Sequence, residues 1–469
     1  MNYIAFEKSV NKINEKEVLM AKHEDETVIL ADEGLGFEGE KCSKSGKIVA
    51  HLTHKNADVL RSLFPFTAPI PVLRKERSFG VGDRLGIATQ GHIKVFEKYQ
   101  AFPVLAQQSI RELDLTNRTY EDVLDAVTFA VYRDGFKKGF GADGDHLKKP
   151  EDIEYALSLG FTMITLDCSD HIKNDVTDNS VSGKSVPKNY ADKYLNKSFD
   201  IGNGIKLEFS ENELLKILEI YVGAIDFAAQ MYNKFLKDGK YDADFEISID
   251  ETATPTTPLQ HFFVAKELID RGVVFATVAP RFCGEFQKGI DYIGDINQFE
   301  AEMKFHAEIA RHFRYKLSIH SGSDKFSTFP IIARETKGIF HVKTAGTNWL
   351  EAMRTVAIAD PSLYREVHKY ALIAFHEATA YYHVTTDLHK IPDIDTLSDE
   401  ELPKLFCNND ARQLIHITYG LILNKKEADG TFSFKDKLYK LWNDNEDIYA
   451  DALINHIGRH LSLLGVAQS

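Results

Sequence analysis

The chain is poor in cysteine and spreads what it has. Cys42, Cys168, Cys283 and Cys407 stand far apart with no CxxC pair. That excludes a disulfide framework and a cysteine-based zinc site, and it predicts a reducing, cytoplasmic setting. Long apolar runs are missing too: nowhere do about 18 apolar residues follow one another, so no transmembrane span is expected. The N-terminal MNYIAFEKSVNKINEKEVLM lacks the continuous apolar stretch of a signal peptide. Positive charge is in deficit, with 56 Lys and Arg against 70 Asp and Glu and a formal net charge of -14. Such a balance argues against nucleic acid or an anionic membrane surface as a partner. No Walker sequence, GxSxG elbow, HExxH or zinc-finger spacing occurs. SFGVGDRLG misses the dinucleotide fingerprint by one spacing, and no acidic residue follows at the right distance.

What is present is an ordinary globular balance, 43% hydrophobic and 27% charged, over 469 residues. That length suits one large barrel with additions. Residues 1–68 read as short alternating segments such as TVILAD and KIVAHLTH, a small α/β appendage. From 69 to 390 short β-type runs alternate with helical-period stretches, the pattern of βα units around a parallel sheet. Eight runs qualify: 78–88, 102–109, 139–145, 161–167, 245–250, 273–280, 315–321 and 339–345. Eight closes an α/β (β/α)₈ TIM-type barrel. The polar stretch 171–209 reads as an insertion, an active-site lid or a disordered loop. Residues 391–469 read as a helical C-terminal extension.

In such a barrel the functional side chains stand at the C-terminal ends of the strands. Asp145, His146, Asp167, Asp250, Glu251, His320 and His341 all fall there. Three imidazoles with an open fourth position make a catalytic metal site, so His146, His320 and His341 are the candidate ligands. Such a set with carboxylates suits a divalent cation such as Zn, Mn, Fe, Co or Ni. This points to a metal-dependent lyase or epimerase, the ion polarising a carbonyl. Asp145, beside His146, is placed to move a substrate proton. Strand alternation allows one of Asp250 and Glu251 to face the centre, and Glu251, at the mouth, is the expected acid or base. The glycine turn would present Asp83 and Arg84 to a ligand. HSGSDK and KTAGT read as backbone nests plus a lysine for phosphate or carboxylate, bringing in Ser321, Lys325 and Lys343. Lys148 is a further candidate for gripping substrate.

SFGVGDRLGIAT, AQQSIRE, GFGADGDHLK, FTMITLDCSDH, SIDETATPTTP, KGIDYIGD, SIHSGSDKFS and FHVKTAGT are eight collinear motifs. Together they resemble the bacterial tagaturonate epimerase family from about residue 78 to about residue 350, with weaker echoes at YYHVTTDL and QLIHITYG. The DH step and the later strand-end histidines are more distantly similar to class II aldolases. The resemblance implies interconversion of D-tagaturonate and D-fructuronate with a divalent metal. It makes Asp145 the proton acceptor, Glu251 the proton donor, and His146, His320 and His341 the ligands. The implied partner is a small ketouronate or ketose, and a homo-oligomer stays open. A class II-type aldolase and a non-catalytic sugar-binding subunit of a lyase are the alternatives.

Overall fold

The computed structural model describes residues 3–24 and 26–469. Eight parallel strands close into a barrel: β1 (Arg77–Val81), β2 (Phe102–Ser109), β3 (Gly141–Leu147), β4 (Met163–Asp167), β5 (Asp244–Ile249), β6 (Thr277–Pro280), β7 (Lys316–Ile319) and β8 (Phe340–Thr344). β8 pairs with β1 to complete the ring, His341 opposite Ser78 and Lys343 opposite Gly80. All eight expected strands are present. The glycine-rich first run stops at Val81, because the backbone then turns at Gly82 and Gly86 rather than extending.

Helices after each strand form the outer ring, among them Thr89–Lys98, Tyr120–Asp134, Pro150–Ser158, Glu211–Phe235, Pro258–Asp270, Ile296–Phe313, Phe329–Glu335 and Thr347–Ala359. Their starts are written locally. Thr119 with Asp122, Ser210 with Glu213 and Thr257 with Gln260 form reciprocal capping boxes.

The strands decide where the chemistry sits. Phe245, Ile247 and Ile249 of β5, Leu317 and Ile319 of β7, and Phe340 and Val342 of β8 belong to the core between barrel and helices. The alternate positions, Glu246, Ser248, Lys316, Ser318, His341 and Lys343, are buried and polar. Strand side chains alternate between faces, so these point into the lumen. Branched apolar residues usually fill that space; here much of it is charged.

The appendage is an antiparallel sheet whose longest strands are Lys16–His23 and Glu26–Ala31, joined to the helix His54–Leu63 and packed on Phe129 and Tyr132 of a barrel helix. The C-terminal extension shares the main core, with Trp442 and Leu453 buried beside Trp349 and Leu350. The stretch 171–209 corrects the lid expectation. It folds into a short helix, Lys188–Tyr194, and a hairpin of Ser198–Gly202 with Ile205–Glu208. Tyr194, Phe199 and Phe209 pack on Phe262 and Phe263 at the barrel's outer wall. The insertion's apolar residues are thus spent on barrel helices. All four cysteines are unpaired. Among the described residues, no helix is long and apolar enough to cross a membrane.

Candidate active site

A cavity of about 380 Å³ opens at the C-terminal ends of the strands. On its floor the Lys343 ammonium lies 2.6 Å from Asp143, 2.7 Å from the Thr165 hydroxyl and 3.4 Å from Glu246, and it also contacts Asp145. Burial alone would discharge Lys343, but the three carboxylates outweigh it and hold the amine protonated. Burial likewise opposes ionisation of Asp145, yet Lys343 and His146 keep its carboxyl well below the usual range. Asp143 goes the other way. Burial, with Asp145 and Glu246 close by, pushes it up to about 6.

Above this floor, His320 spans two acids, Nε2 at 2.8 Å from Glu246 and Nδ1 at 3.2 Å from Asp250. Burial would lower its pKa, but Asp250 and Glu246 raise it to about 10. The His146 ring lies 4.8 Å from that of His320. Candidate ligand atoms of His146, Asp250 and His320 all lie within 4.8 Å of one another. His146 reaches this place through a break in β3. Its φ of 56° is left-handed, and the β3–β4 register shifts beside it. The kink turns Asp145 and His146 to the same cavity, Nδ1 to Oδ1 2.7 Å apart.

The structure therefore brings Asp145, His146, Lys148, Glu251, His320, Ser321 and Lys343 to one cavity. It does not bring four others. His341 stands two residues back along β8, fully buried, with Nδ1 2.9 Å from the Ser78 hydroxyl, outside the group of three. Burial, with Lys316 and Lys343 nearby, lowers its pKa to about 3. Asp83 accepts from the amides of Leu85 and Ala88, closing its own turn. Arg84 is consumed by Glu112 at 2.8 Å and by the Tyr419 ring 3.9 Å below its guanidinium. Lys325 gives all three donors to the carbonyls of Gln287, Ile290 and Ser323. Asp83 closes its own turn, while Arg84 and Lys325 tie theirs to neighbouring segments, so these side chains are not offered to a ligand.

Comparison with known proteins covers nearly the whole chain. A family model described as tagaturonate epimerase matches residues 6–464. The chain belongs to that family. A tagaturonate/fructuronate epimerase of Thermotoga maritima is 43% identical over 475 residues, covering 98% of this chain and 97% of the relative. Two crystal structures of the fructuronate–tagaturonate epimerase of Cohnella laeviribosi superpose on it closely. The one-glycerol complex has a TM-score of 0.96 at 49% identity, and the native form 0.95 at 48%. Each match covers 99% of this chain and 97% of the relative.

The sequence reading leaves out Asp143, Glu246, Arg111 and Lys288, and it sets Asp250 behind Glu251. For three of them a signal was present. Glu246 and Asp250 share the inward face of β5 with Ser248, and Asp143 shares that of β3 with Asp145. The expectation that Glu251 would face the centre in place of Asp250 is corrected by that same alternation. Asp250 continues the inward series, while Glu251 lies exposed at the mouth. Arg111 and Lys288 stand in quoted motifs, AQQSIRE and KGIDYIGD, but nothing in the local pattern marks them as facing the cavity.

Proposed function

We propose that this chain interconverts tagaturonate and fructuronate, with a divalent cation held at the barrel mouth. Family membership across residues 6–464 carries the reading, and the acid–imidazole cluster supplies the chemistry it needs. The residues present fit a metal: two imidazoles and a carboxylate, His146, His320 and Asp250, converge within ligand range. The buried Nε2 of His341 has no hydrogen-bond partner in the same lumen, so it stays a candidate further ligand. When bound, the cation would polarise the substrate's ketone.

The two ketouronates differ at the hydroxyl-bearing carbon β to the ketone, which simple enolisation does not reach. Retro-aldol cleavage does. Asp145, kept ionised by Lys343 and His146, takes the proton of that hydroxyl. The α–β carbon bond breaks, its electron pair passes into the ketone-bearing fragment, and an aldehyde forms at the β carbon. The aldehyde turns and is attacked on its other face, re-forming the bond; a protonated Glu251 gives its proton to the new alkoxide, and exchange with solvent takes the proton off Asp145 and restores that of Glu251. Lys148 and Ser321 line the cavity where the substrate's hydroxyls would lie.

The test is to incubate metal-loaded protein with tagaturonate and follow fructuronate by chromatography. Conversion without release of free aldehyde is the expected result. Steady release of two fragments would mark an aldolase instead, and no reaction at all would sink the assignment.

A further inference from the structure

Among the described residues three cations that line the cavity make no ion pair, Arg111, Lys149 and Lys288. Lys343 is neutralised by Asp143, Asp145 and Glu246. Lys148 is neutralised by Asp170 at 2.7 Å and Asp167 at 3.7 Å, whereas Lys149, exposed at the rim like Arg111, has no side-chain hydrogen bond among the described residues that ties it to the cavity wall. Lys288 and Arg111 differ from Lys149 in being tied to the cavity wall. The Lys288 ammonium donates to the Ser321 hydroxyl at 3.0 Å, one residue from His320. Arg111 lies with its guanidinium 5.0 Å from the Tyr382 ring and donates to the Tyr381 carbonyl at 3.4 Å. Most of its fork is left without a protein acceptor.

Both are held in place from outside the barrel. Arg412 donates to the Gly289 carbonyl at 2.6 Å and Gln413 to the Lys288 carbonyl at 3.2 Å, fixing the backbone that leads out of Lys288. Tyr382, beneath Arg111, is tied to Tyr419 hydroxyl to hydroxyl at 3.0 Å. Arg412, Gln413 and Tyr419 belong to the C-terminal extension. A flexible lysine and arginine are thus pre-positioned beside the acid–imidazole group by a structure with no other evident reason to fix them. Two unneutralised cations side by side repel, a cost that an arriving anion removes. Pre-positioning lowers the ordering penalty of binding it.

We propose that Lys288 and Arg111 are the carboxylate clamp of this site, the pair that selects a ketose bearing a terminal carboxylate over its neutral counterpart. This rests on the ketouronate reading above, and it assigns specificity to two residues that take no part in bond making.

Calorimetric titration of the metal-loaded protein with fructuronate and, separately, with fructose reads the clamp without needing turnover. The parent should prefer fructuronate by about 30-fold or more, as expected for charge-assisted hydrogen bonds. Lys288→Met and Arg111→Met should each shrink that preference about tenfold while leaving the fructose affinity within about twofold. Lys288→Arg should keep most of it. Either variant suffices if the other fails to fold. A merely structural role would weaken both sugars together, and that outcome overturns the proposal, as does a preference unchanged in both variants. A parent that prefers the acid but never converts it would sink the epimerase reading and leave the clamp standing.

Discussion

The Nδ1 of His146 lies 2.7 Å from Oδ1 of Asp145, its neighbour in sequence, although adjacent strand residues ordinarily face opposite ways. The left-handed backbone of His146, φ 56°, makes the contact. A side-chain-bearing residue in that region costs about 1–2 kcal/mol. Here the cost places the proposed proton acceptor and a proposed metal ligand on one rim.

His146→Asn is therefore the informative substitution, because asparagine tolerates the left-handed region better than most residues. Compared metal-free, the variant should melt no lower than the parent. It should lose bound metal, and turnover should fall by about 100-fold or more, the upper end of what removal of an outer-shell partner alone brings. Calorimetry and elemental analysis on the same sample check both halves. Full activity with a full complement of metal would remove His146 from the site.

Asp145→Asn tests the proton acceptor. Loss of a positioned general base lowers kcat by about 10²–10⁴-fold. KM should move little, since the amide keeps the shape of the carboxylate. Steady-state kinetics with tagaturonate decide it; a large rise in KM at constant kcat would make Asp145 a binding group.

Lys343→Met removes the cation on which Asp143, Asp145 and Glu246 converge. Breaking a buried pair by deleting one partner costs about 3–5 kcal/mol, because the remaining charges stay buried. Urea unfolding of the metal-free protein at neutral pH should show a loss of that order. The loss should shrink as pH falls and the three acids, no longer held ionised, take up protons. A loss independent of pH would mean that Lys343 acts through packing.

The strand order was legible because each barrel strand ends in a polar turn and each helix starts on a cap such as Thr119 or Ser210. The rim residues Asp145, His146, Glu251 and His320 were legible for the same reason. What escaped was depth and direction. His341 reads like His320, since both follow apolar residues before a polar turn. His320, however, lies one residue beyond β7, whereas His341 is the second residue of β8 and lies lower in the lumen. Arg84 and Lys325 read as ligand-facing because they sit in glycine turns, yet each is spent on tying its turn to other parts of the chain. Whether a turn's charge faces in or out depends on distant partners, Tyr419 for Arg84 and Ile290 for Lys325. No local pattern encodes them. The insertion failed likewise: its polarity suggested a lid, while Tyr194, Phe199 and Phe209 bound it to the outer wall.

Acid stability should be governed by buried imidazoles. Burial lowers His306 and His368 to about 4, against an ordinary value of about 6.5. As pH falls through that ordinary value the unfolded chain takes up protons while the native rings stay neutral, so stability falls between pH 6.5 and 4. Each such group contributes a slope of up to about 1.4 kcal/mol per pH unit. His320, raised to about 10, is already charged in both states below 6.5 and adds no slope there. Asp143, raised to about 6, binds its proton in the native state first and opposes one histidine over the same window. Comparing His368→Leu with the parent cancels these terms. Both ring nitrogens of His368 are buried without hydrogen-bond partners, so leucine forfeits no bond. The variant's unfolding free energy should fall less steeply from pH 6.5 to 5, by about 1 kcal/mol per unit. Parallel curves for the two proteins would show that His368 takes up its proton in the folded state as readily as in the unfolded one.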